Sequence, residues 1–216
     1  MGSGAAYWAA KRAGTGVLGL ERFDFGHERG ASQDHSRIIR LSYHTPEYVR
    51  FARDAYAAWS ALEEESAQLV IRTGGLDLYP ESAYAWIDDY VRSLDAAGDI
   101  PYEWLDAGEA MSRWPVWCLP DDVRLMYQED SGLVAAAQAN AAHRRLAESM
   151  GATLVQNTRV VDVRETAGLY ELETEAGSFR AERLILAADA WTNELLAQLW
   201  RPINLTLTQE QVTYYA

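Results

Sequence analysis

The feature that most limits how this chain can fold is the order of its first two predicted elements. Residues 5–13 are rich in alanine and precede Gly14, a pattern typical of a helix that ends at a glycine. Residues 17–21, Val-Leu-Gly-Leu-Glu, predict a short buried strand that ends in an acid. A helix followed by such a strand is the later part of a dinucleotide-binding unit, so an α/β arrangement is expected.

Gly2 and Glu21 stand where that unit places its chemically important residues. A glycine before the helix lets the backbone approach a pyrophosphate, and an acid about 20 residues further on binds the ribose hydroxyls. Gly2 precedes the predicted helix, and Glu21 follows 19 positions later. Because an acid repels a ribose phosphate, the pair favours FAD or NAD over NADP and does not decide between the first two.

Helices and strands alternate along the rest of the chain. Thr45 and Pro46 suit the start of a helix whose apolar residues recur at helical spacing as far as Leu62. Residues 25–36 are polar and contain glycine, which predicts a loop. Residues 183–187 contain the apolar run Leu-Ile-Leu-Ala, which favours a parallel strand buried on both faces. Further helices are predicted at 82–97, 108–114, 135–150 and 191–199, and further strands at 68–72, 75–79, 124–128, 153–155, 159–164 and 170–174.

This order predicts a nucleotide-binding domain that is interrupted by an insertion. The two ends of the chain have α/β character, whereas the middle block is mixed. We therefore expect an α/β fold: an incomplete Rossmann-like domain interrupted by a mixed α+β substrate domain. The expected nucleotide-binding parts are residues 1–66 and 134–200, and the expected substrate-domain parts are residues 67–133 and 201–216.

The charge of the chain limits its partners. Thirty-two acidic against nineteen basic side chains give a formal net charge of −13, which repels phosphate backbones and anionic lipid surfaces. Apolar runs fall far short of the roughly 20 residues that a membrane helix needs, and the first residues lack the pattern of a secretion signal. We therefore expect a cytoplasmic protein that binds neither nucleic acid nor membranes.

The single cysteine, Cys118, cannot form a disulfide within the chain, which favours a reducing compartment. No group of cysteine and histidine has the spacing of metal ligands, so no metal site is expected. Cys118 is expected to be a small buried residue, and His27, His44 and His143 are expected in ordinary core or surface positions.

Two segments carry a more specific signal. Residues 21–24 read Glu-Arg-Phe-Asp, and residues 30–40 read Gly-Ala-Ser-Gln-Asp-His-Ser-Arg-Ile-Ile-Arg. Their order and spacing resemble the monomeric sarcosine oxidases and N-methyl-tryptophan oxidases, in which a ribose-binding acid precedes a loop rich in Gly, Ser and His that ends in Thr/Ser-Arg-Ile-Ile-Arg. The resemblance continues in short motifs along the whole chain, at residues 73–76, 113–115, 130–133, 151–152, 158–160, 190–191 and 209–212.

This resemblance implies an FAD-dependent flavoprotein of the D-amino acid oxidase-like superfamily. Members of the family oxidise the secondary amine of an N-methyl amino acid to an imine, pass the electrons through FAD to oxygen and release hydrogen peroxide. In the family, a first strand and two further glycines precede the position of Gly2. The half with the flavin-tethering cysteine and the oxygen-activating lysine follows the position of residue 216. The chain as given is therefore expected to be a fragment that is inactive by itself.

Arg37 and Arg40 are the residues to which the resemblance assigns the central roles. The residue matching Arg37 lies against the flavin and supports its reduced, anionic form, which makes Arg37 the expected catalytic residue. The residue matching Arg40 binds the substrate carboxylate. Guanidinium groups suit both tasks because they are permanently charged and can hold a carboxylate through two parallel hydrogen bonds. Their spacing of three places both on one face of a helix but on opposite faces of a strand, and the sequence does not decide between these.

The resemblance also implies a set of cofactor contacts along the chain: Gly2, Glu21, Arg22, Ser32, Arg37, Ile38, Val160, Ala188 and Trp191. Asp189 departs from the family, which has a glycine at this position. A carboxylate near the pyrophosphate would repel it, and a side chain would keep the backbone away, so Asp189 is expected to disfavour FAD. Gln33 and Asp34 replace a histidine-glycine pair and leave the contacts of this loop open.

Two other functions stay open on the sequence. The chain could be a non-catalytic remnant or an interaction module, which the absence of the outer family segments favours. It could also be an NAD-dependent dehydrogenase, since the partial dinucleotide motif serves both cofactors. The segment Ser-Arg-Ile-Ile-Arg favours the oxidase over the dehydrogenase, and the sequence does not indicate which amine is the substrate.

Overall fold

The computed structural model describes residues 1–32, 34–98, 100–209 and 211–214, which fall into two compact units. The first, here called the split unit, contains residues 1–33 and 140–216, and the second, the inserted unit, contains residues 34–139. The expected nucleotide-binding domain runs to residue 66, so the compact units divide the chain at other positions. Contacts within a unit do not assign a ligand to it, and the domain boundaries stay a prediction.

Six α-helices and eleven β-strands lie within the described residues. The helices are α1 (Gly2–Ala13), α2 (Pro46–Glu64), α3 (Tyr84–Ala97), α4 (Ala107–Arg113), α5 (Ala136–Ser149) and α6 (Thr192–Leu199). The strands are β1 (Leu18–Leu20), β2 (Arg37–Ile39), β3 (Val70–Arg72), β4 (Gly75–Tyr79), β5 (Glu103–Asp106), β6 (Arg124–Gln128), β7 (Gly132–Val134), β8 (Thr153–Val155), β9 (Val160–Thr166), β10 (Leu169–Thr174) and β11 (Gly177–Ala181). None of these helices combines the length and the apolar composition that crossing a bilayer requires.

The split unit is built on a parallel pair of strands. β1 and β8 pair over three residues each, and each strand follows a helix, α1 and α5 respectively. A buried core is formed by Ala10 of α1, Ala147 of α5 and Ala152. Because these side chains are small, the two helices can pack closely. Helix-to-strand units that deliver parallel strands are the mark of an α/β protein, so the predicted fold class is confirmed.

An antiparallel sheet completes the split unit. β9, β10 and β11 form a meander in the spatial order β11-β10-β9, and α6 lies against β9. The N–H of Val163 on β9 donates to the side-chain oxygen of Gln198 on α6 at 2.8 Å. Arg164 contacts the carboxylates of Glu171 and Glu173 on β10 at 3.2 and 3.0 Å, so opposite charges face each other across these strands.

The inserted unit contains two three-stranded sheets, β2-β7-β3 and β4-β6-β5, in which all neighbouring strands are antiparallel. Helices α2 and α3 pack against each other. The core of this unit contains Val49 of α2, Ile87 and Leu94 of α3, and Met126 of β6, which are all buried. The middle of the chain is therefore the mixed α and β block that the sequence predicts.

Two expectations from the sequence are wrong. Residues 183–187 form no strand, and Ile185 in the middle of the apolar run is 65% exposed. A strand requires a hydrogen-bonding partner, and apolar composition indicates only that a segment can be buried, not which strand would lie beside it. Cys118 is exposed rather than buried, because it lies in an irregular segment after the end of α4.

Gly132 is the residue on which the sheet β2-β7-β3 depends most closely. It lies in the central strand β7, opposite Ile39 of β2 and Arg72 of β3. A Cβ atom added to Gly132 would lie 2.1 Å from the carbonyl oxygen of Ile71 and 2.9 Å from Cα of Arg72. Both atoms belong to the backbone of β3, so rotation of a side chain cannot relieve the contact.

Replacement of Gly132 by alanine is expected to destabilise the chain by about 1–3 kcal/mol, because the backbone of β3 must move away from β7. Urea unfolding followed by tryptophan fluorescence measures the loss. Gly16→Ala is the matched control, since the atom nearest to its added Cβ would be Cβ of Ala13 at 3.7 Å. Equal unfolding midpoints for the two variants would contradict this account of Gly132.

His143 of α5 lies beside the first turns of α1. Its Cε1 atom is 3.7 Å from the position of a Cβ on Gly4, and its ring centroid is 5.5 Å from that of the buried Tyr7. Burial, and to a smaller extent the charge of the N-terminal amine, lower the pKa of His143 to about 4. The neutral ring is therefore the form that packs in the folded chain.

Acidification is expected to destabilise the folded chain through His143. The ring binds a proton more weakly when folded than when unfolded, where its pKa is near 6.5, so its contribution is complete above that pH and is lost as the pH falls towards about 4. The loss is expected to be about 1–2 kcal/mol once the exposed part of the ring is allowed for. Unfolding midpoints at about pH 7 and about pH 4.5 measure it.

Carboxylates also titrate in this range, so the comparison with a His143→Asn variant isolates the histidine. The variant is expected to lose less stability between the two pH values than the parent chain does. An identical loss in both would show that His143 contributes nothing to the pH dependence.

Candidate functional site

Glu21 lies directly after β1, at the carboxyl end of the parallel pair. Its N–H donates to the carbonyl oxygen of Val155 at 2.8 Å, and its carbonyl oxygen accepts from the N–H of Thr158 at 2.8 Å. The backbone of Glu21 is thereby held against the chain that continues from β8. Open α/β sheets bind their ligands at the carboxyl ends of their strands, so the predicted ribose-binding acid lies at the expected edge.

The Glu21 carboxylate is held from two sides and remains accessible. Oε1 accepts a hydrogen bond from the N–H of Phe23 at 2.9 Å and lies 3.5 Å from Nε2 of His27. Nδ1 of His27 accepts from the N–H of Arg29 at 3.0 Å, so a neutral ring carries its proton on Nε2, facing Glu21. The Glu21 side chain is 37% exposed. A carboxylate oriented in this way can still accept hydrogen bonds from the hydroxyl groups of a ligand.

Phe23 brings two of the predicted cofactor residues around one ring. The guanidinium carbon of Arg22 lies 5.0 Å from the ring centroid, and the ring of Trp191 meets Phe23 edge-on at 6.1 Å. Arg29 lies over the same ring at 4.7 Å. Arg22 and Trp191, which are far apart in the sequence, therefore lie in the same part of the split unit as Glu21.

The start of α1 is linked to Ser32 through Asn140. The hydroxyl of Ser3 donates to Oδ1 of Asn140 at 2.7 Å, and Nδ2 of Asn140 donates to the carbonyl oxygen of Ser32 at 3.0 Å. Met1, at the N-cap position of α1, makes no side-chain capping hydrogen bond. The first N–H groups of a helix have no partner within the helix and are the donors that bind a pyrophosphate.

Gly2 lies beside the segment that contains Ala188. A Cβ atom added to Gly2 would lie 3.6 Å from Cβ of Ala187, which precedes Ala188. That distance is an ordinary contact, so packing within the chain does not itself require glycine at position 2. Val160 makes the contacts of its sheet: it is half-buried at the start of β9, in register with Thr174 of β10.

Asp189 has a left-handed backbone conformation, with a φ of 48°, which costs energy in residues other than glycine. Its Oδ2 accepts a hydrogen bond from the N–H of Ala31 at 2.8 Å. This bond offsets part of the backbone strain and connects the loop before Ser32 to the turn at residues 189–191. The carboxylate therefore has a partner within the chain, and its expected effect on FAD stays a prediction.

These residues of the split unit fit FAD. Glu21 offers an accessible carboxylate for ribose hydroxyls, and the start of α1 offers backbone N–H groups for a pyrophosphate, with the small residues Gly2 and Ala188 beside them. A carboxylate at the ribose position does not fit the 2′-phosphate of NADP. The geometry thus agrees with the cofactor class that the sequence favours.

Arg37 and Arg40 belong to the inserted unit, in β2 and directly after it. The backbone is extended over Arg37–Ile39, so successive side chains point to opposite faces of the sheet. Ile39 is 8% exposed, whereas Ile38, a predicted cofactor contact, is 71% exposed. The sequence leaves the conformation of this segment open, and the extended backbone excludes the shared face that a helix would give the two arginines.

Arg37 is engaged by residues directly before it. Its Nη1 donates to the carbonyl oxygen of Ser36 at 2.8 Å and lies 3.3 Å from Oδ2 of Asp34. Asp34 is one of the two residues that depart from the family in this loop. The other, Gln33, lies outside the described residues, as does Glu210 of the motif at 209–212. The Arg37 side chain remains partly exposed beside its carboxylate partner.

Arg40 is paired with Asp77 of β4. Its Nη1 donates to Oδ1 of Asp77 at 2.6 Å, and its guanidinium carbon lies 5.4 Å from the ring centroid of Tyr43. Burial is the largest single influence on the pKa of Arg40 and lowers it, but Asp77, Tyr43 and Tyr90 together raise it by more, so the pKa lies above its ordinary value. The cation expected to bind a substrate carboxylate therefore already has a carboxylate partner inside the chain.

Three residues that contact the predicted ones are not indicated by the sequence: His27, Asp77 and Asn140. Asp77 belongs to a regular strand and Asn140 to a regular helix, and His27 lies in a polar loop, so none of them departs from the local pattern. Within the part of the chain that the structure describes, no group of three or more His, Cys, Asp or Glu side chains could hold a metal ion.

The sequence of the whole chain, residues 1–216, matches the family described as DAO, FAD dependent oxidoreductase. Monomeric sarcosine oxidase from Bacillus sp. (strain NS-129) is 30% identical over 219 aligned residues, which cover 100% of this chain and 56% of that protein. N-methyl-L-tryptophan oxidase from Escherichia coli is 29% identical over 202 residues, which cover 92% of this chain and 54% of that protein. The chain thus spans about half the length of the curated relatives it matches.

Solved structures show the same likeness. NikD, an unusual amino acid oxidase essential for nikkomycin biosynthesis, has a TM-score of 0.78 and 29% identity over 90% of this chain and 50% of that one. Glycine oxidase from Geobacillus kaustophilus has a TM-score of 0.74 and 26% identity over 91% of this chain and 55% of that one. The family match over residues 1–216, with which these likenesses agree, shows that the chain belongs to the FAD-dependent oxidoreductase family.

Proposed function

We propose that this protein is an FAD-dependent oxidase of N-methyl amino acids, which converts a secondary amine to an imine and releases hydrogen peroxide. The observation that carries the proposal is the Glu21 carboxylate, which is oriented by the N–H of Phe23 and accessible at the carboxyl end of β1. The substrate class follows the relatives, which are named sarcosine oxidase and N-methyl-L-tryptophan oxidase. Because the chain spans about half of these proteins, activity and substrate are both part of the proposal.

The split unit would hold the nucleotide half of the cofactor. Glu21 would accept hydrogen bonds from the ribose hydroxyls, and the open N–H groups from Gly2 onwards would bind the pyrophosphate. The proposed set of contacts is completed by Arg22, Ser32, Arg37, Ile38, Val160, Ala188 and Trp191.

The inserted unit would supply two charges to the reaction. FAD, when bound, accepts a hydride from the carbon next to the amine nitrogen and passes the electrons to oxygen. Arg40 would bind the substrate carboxylate and so orient that carbon, and Arg37 would place a permanent positive charge beside the reduced, anionic flavin. Both guanidinium groups are partly exposed beside their carboxylate partners.

The proposal includes the domain roles and the location of the protein. Residues 1–66 and 134–200 would contribute to FAD binding, and residues 67–133 and 201–216 to binding of a small N-methyl amino acid. A cytoplasmic location is proposed with them, since the exposed thiol of Cys118 suits a reducing compartment.

Titration of the chain with FAD is expected to show binding of about one equivalent, and Glu21→Gln is expected to weaken it by about ten- to a hundredfold, because a charged acceptor for the ribose is lost. Quenching of flavin fluorescence measures the dissociation constant. Glu182→Gln, at an exposed position of the same unit, is the matched control and is expected to bind like the parent.

Absence of FAD binding by the parent chain would favour the non-catalytic remnant, and binding of NADH in its place would favour the dehydrogenase. Equal affinity of the Glu21 and Glu182 variants for FAD would remove Glu21 from the cofactor site.

In a flavin-loaded protein of the relatives' full length, Arg40→Ala is expected to raise KM for N-methylglycine by about ten- to a hundredfold with little change in kcat, because a charged contact to the bound carboxylate is lost. Arg37→Ala is expected to lower kcat by about a hundredfold, because it removes a charge that stabilises the reduced flavin. Release of hydrogen peroxide measures both constants. Arg50→Ala is the control, since Arg50 pairs with Glu47 on an exposed part of the same unit.

The two arginines have different proposed tasks, so their variants must differ in kind. If both substitutions changed KM and kcat to the same extent, the separate roles of Arg37 and Arg40 would be wrong. Thermal unfolding of each variant separates these effects from loss of the fold.

A further inference from the structure

The Arg40–Asp77 ion pair has a fixed geometry within the inserted unit. Nη1 of Arg40 and Oδ1 of Asp77 lie 2.6 Å apart, and the two side chains are 34% and 20% exposed. Asp77 lies in the middle of β4, in register with Met126 of β6, so its backbone is held by the sheet. Arg40 follows β2, whose residue Ile39 is buried. Both partners are therefore anchored by regular structure, unlike a pair of long surface side chains.

Tyrosine rings surround this pair. The ring of Tyr43 lies 5.4 Å from the guanidinium carbon of Arg40, and Tyr79, two residues after Asp77 on β4, lies 5.9 Å from the ring of Tyr90. The Tyr79 hydroxyl is buried and has no hydrogen-bond partner among the described residues. Burial and the nearby Asp77 hold the pKa of Tyr79 well above its usual range, so its hydroxyl stays neutral. The Tyr79 hydroxyl therefore adds no charge beside Arg40 and Asp77.

Each partner of the pair keeps unused hydrogen-bonding groups. A guanidinium carries five N–H donors, and within the described residues Arg40 donates one of them, to Asp77. Oδ1 of Asp77 accepts the bond from Arg40. Oδ2 accepts no hydrogen bond from the described residues. The pair thus offers a ligand open donors on Arg40 next to an open acceptor on Asp77.

The charges decide which ligand suits such a pair. A lone arginine attracts any carboxylate, whereas an arginine already paired with an aspartate has little net charge to offer. A simple carboxylate that binds Arg40 comes within a few ångströms of Asp77 and is repelled. A zwitterionic amino acid carries an ammonium group next to its carboxylate, and that ammonium offsets the charge of Asp77.

We propose that Asp77 is a specificity-determining residue: through its pairing with Arg40 it selects amino acids, which carry both charges, over simple carboxylates. This rests on the proposed function in taking the ligand to be an amino acid and Arg40 to bind its carboxylate.

Arg72 and Asp130 provide an internal comparison. They form an ion pair in the same unit at 3.0 Å, but their side chains are 59% and 46% exposed. Water competes strongly for an exposed pair, so little ligand selectivity is expected from it. Asp130→Asn therefore controls for the loss of one negative charge from the inserted unit.

The test compares two ligands that differ in one group. N-methylglycine is acetate with a methylammonium group added, so the carboxylate is common to both. The parent chain is expected to bind N-methylglycine about tenfold more tightly than acetate, and Asp77→Asn is expected to abolish or reverse this ratio. Chemical-shift titration of the protein measures both affinities without turnover. Asp130→Asn is expected to keep the ratio of the parent, and Arg40→Gln to weaken binding of both ligands.

Several results would overturn the proposal. One is that the parent chain binds acetate as tightly as N-methylglycine. Another is that it shows no binding of N-methylglycine at millimolar concentration, which corresponds to a binding free energy of about −4 kcal/mol. Asp77→Asn could also leave the ratio unchanged. If Asp77→Asn does not fold, the two ligands are compared on the parent chain and on Asp77→Glu. The glutamate keeps the charge and is expected to keep the preference, so loss of the preference in Asp77→Glu or its absence from the parent chain would contradict the proposal.

Ligand selection and the proposed oxidase can fail separately. Loss of FAD binding with an intact preference for N-methylglycine would contradict the oxidase and support the role of Asp77. FAD binding and peroxide release with equal affinity for the two ligands would support the oxidase and contradict the role of Asp77.

Discussion

The backbone hydrogen bonds of Glu21 fix the geometry on which the proposed cofactor site depends. The parallel pairing of β1 and β8 covers only three residues in each strand, and Glu21 extends it through Val155 and Thr158. A carboxylate on a free loop would lose conformational entropy each time it bound a ligand. Here the backbone is already ordered, and the N–H of Phe23 orients the side chain as well. Helix α1 leads directly into the same strand, so its open N–H groups and the carboxylate belong to one packed unit.

A second constraint is the pairing of arginines with nearby acids in a strongly acidic chain. Arg37 faces Asp34 and Arg40 faces Asp77, both at distances at which charge attraction is large in a partly buried site. Neither arginine can therefore be treated as an isolated positive charge. What each can do for a ligand depends on the donors that remain after the internal partner is bound. The ion pairs within the inserted unit therefore also limit which ligands its arginines can bind.

The sequence predicts those parts of the fold that depend on local pattern. The strands at 75–79, 124–128 and 153–155 and the end of α5 before Gly151 follow from alternation and from a glycine signal, and the structure has them there. The run at 183–187 fails because apolar composition does not name a partner strand. Strands β2, β7 and β11 are defined by their pairing with neighbouring strands, which no local sequence pattern shows.

The same contrast between local pattern and long-range pairing applies to the residues of the candidate site. Gly2 and Glu21 could be named from the spacing of the dinucleotide motif, and Arg37 and Arg40 from the resemblance to a family. Asp77 and Asn140 could not be named, because they act on residues 37 and 108 positions away and any of many acids and amides has the right chemistry. The sequence does not predict these two residues because they are far along the chain from the residues that they contact.

The double hydrogen bond of Asn140 restricts how this protein can vary over time. One end of its side chain accepts from Ser3 and the other donates to the carbonyl oxygen of Ser32. A carboxylate could do only the first, and a lysine only the second, so a short amide is the side chain that does both. Substitution of the Ser32 side chain leaves this tie intact, because Asn140 bonds only the backbone of Ser32. The tie therefore constrains the residue at position 140 of the helix more than the side chain at position 32.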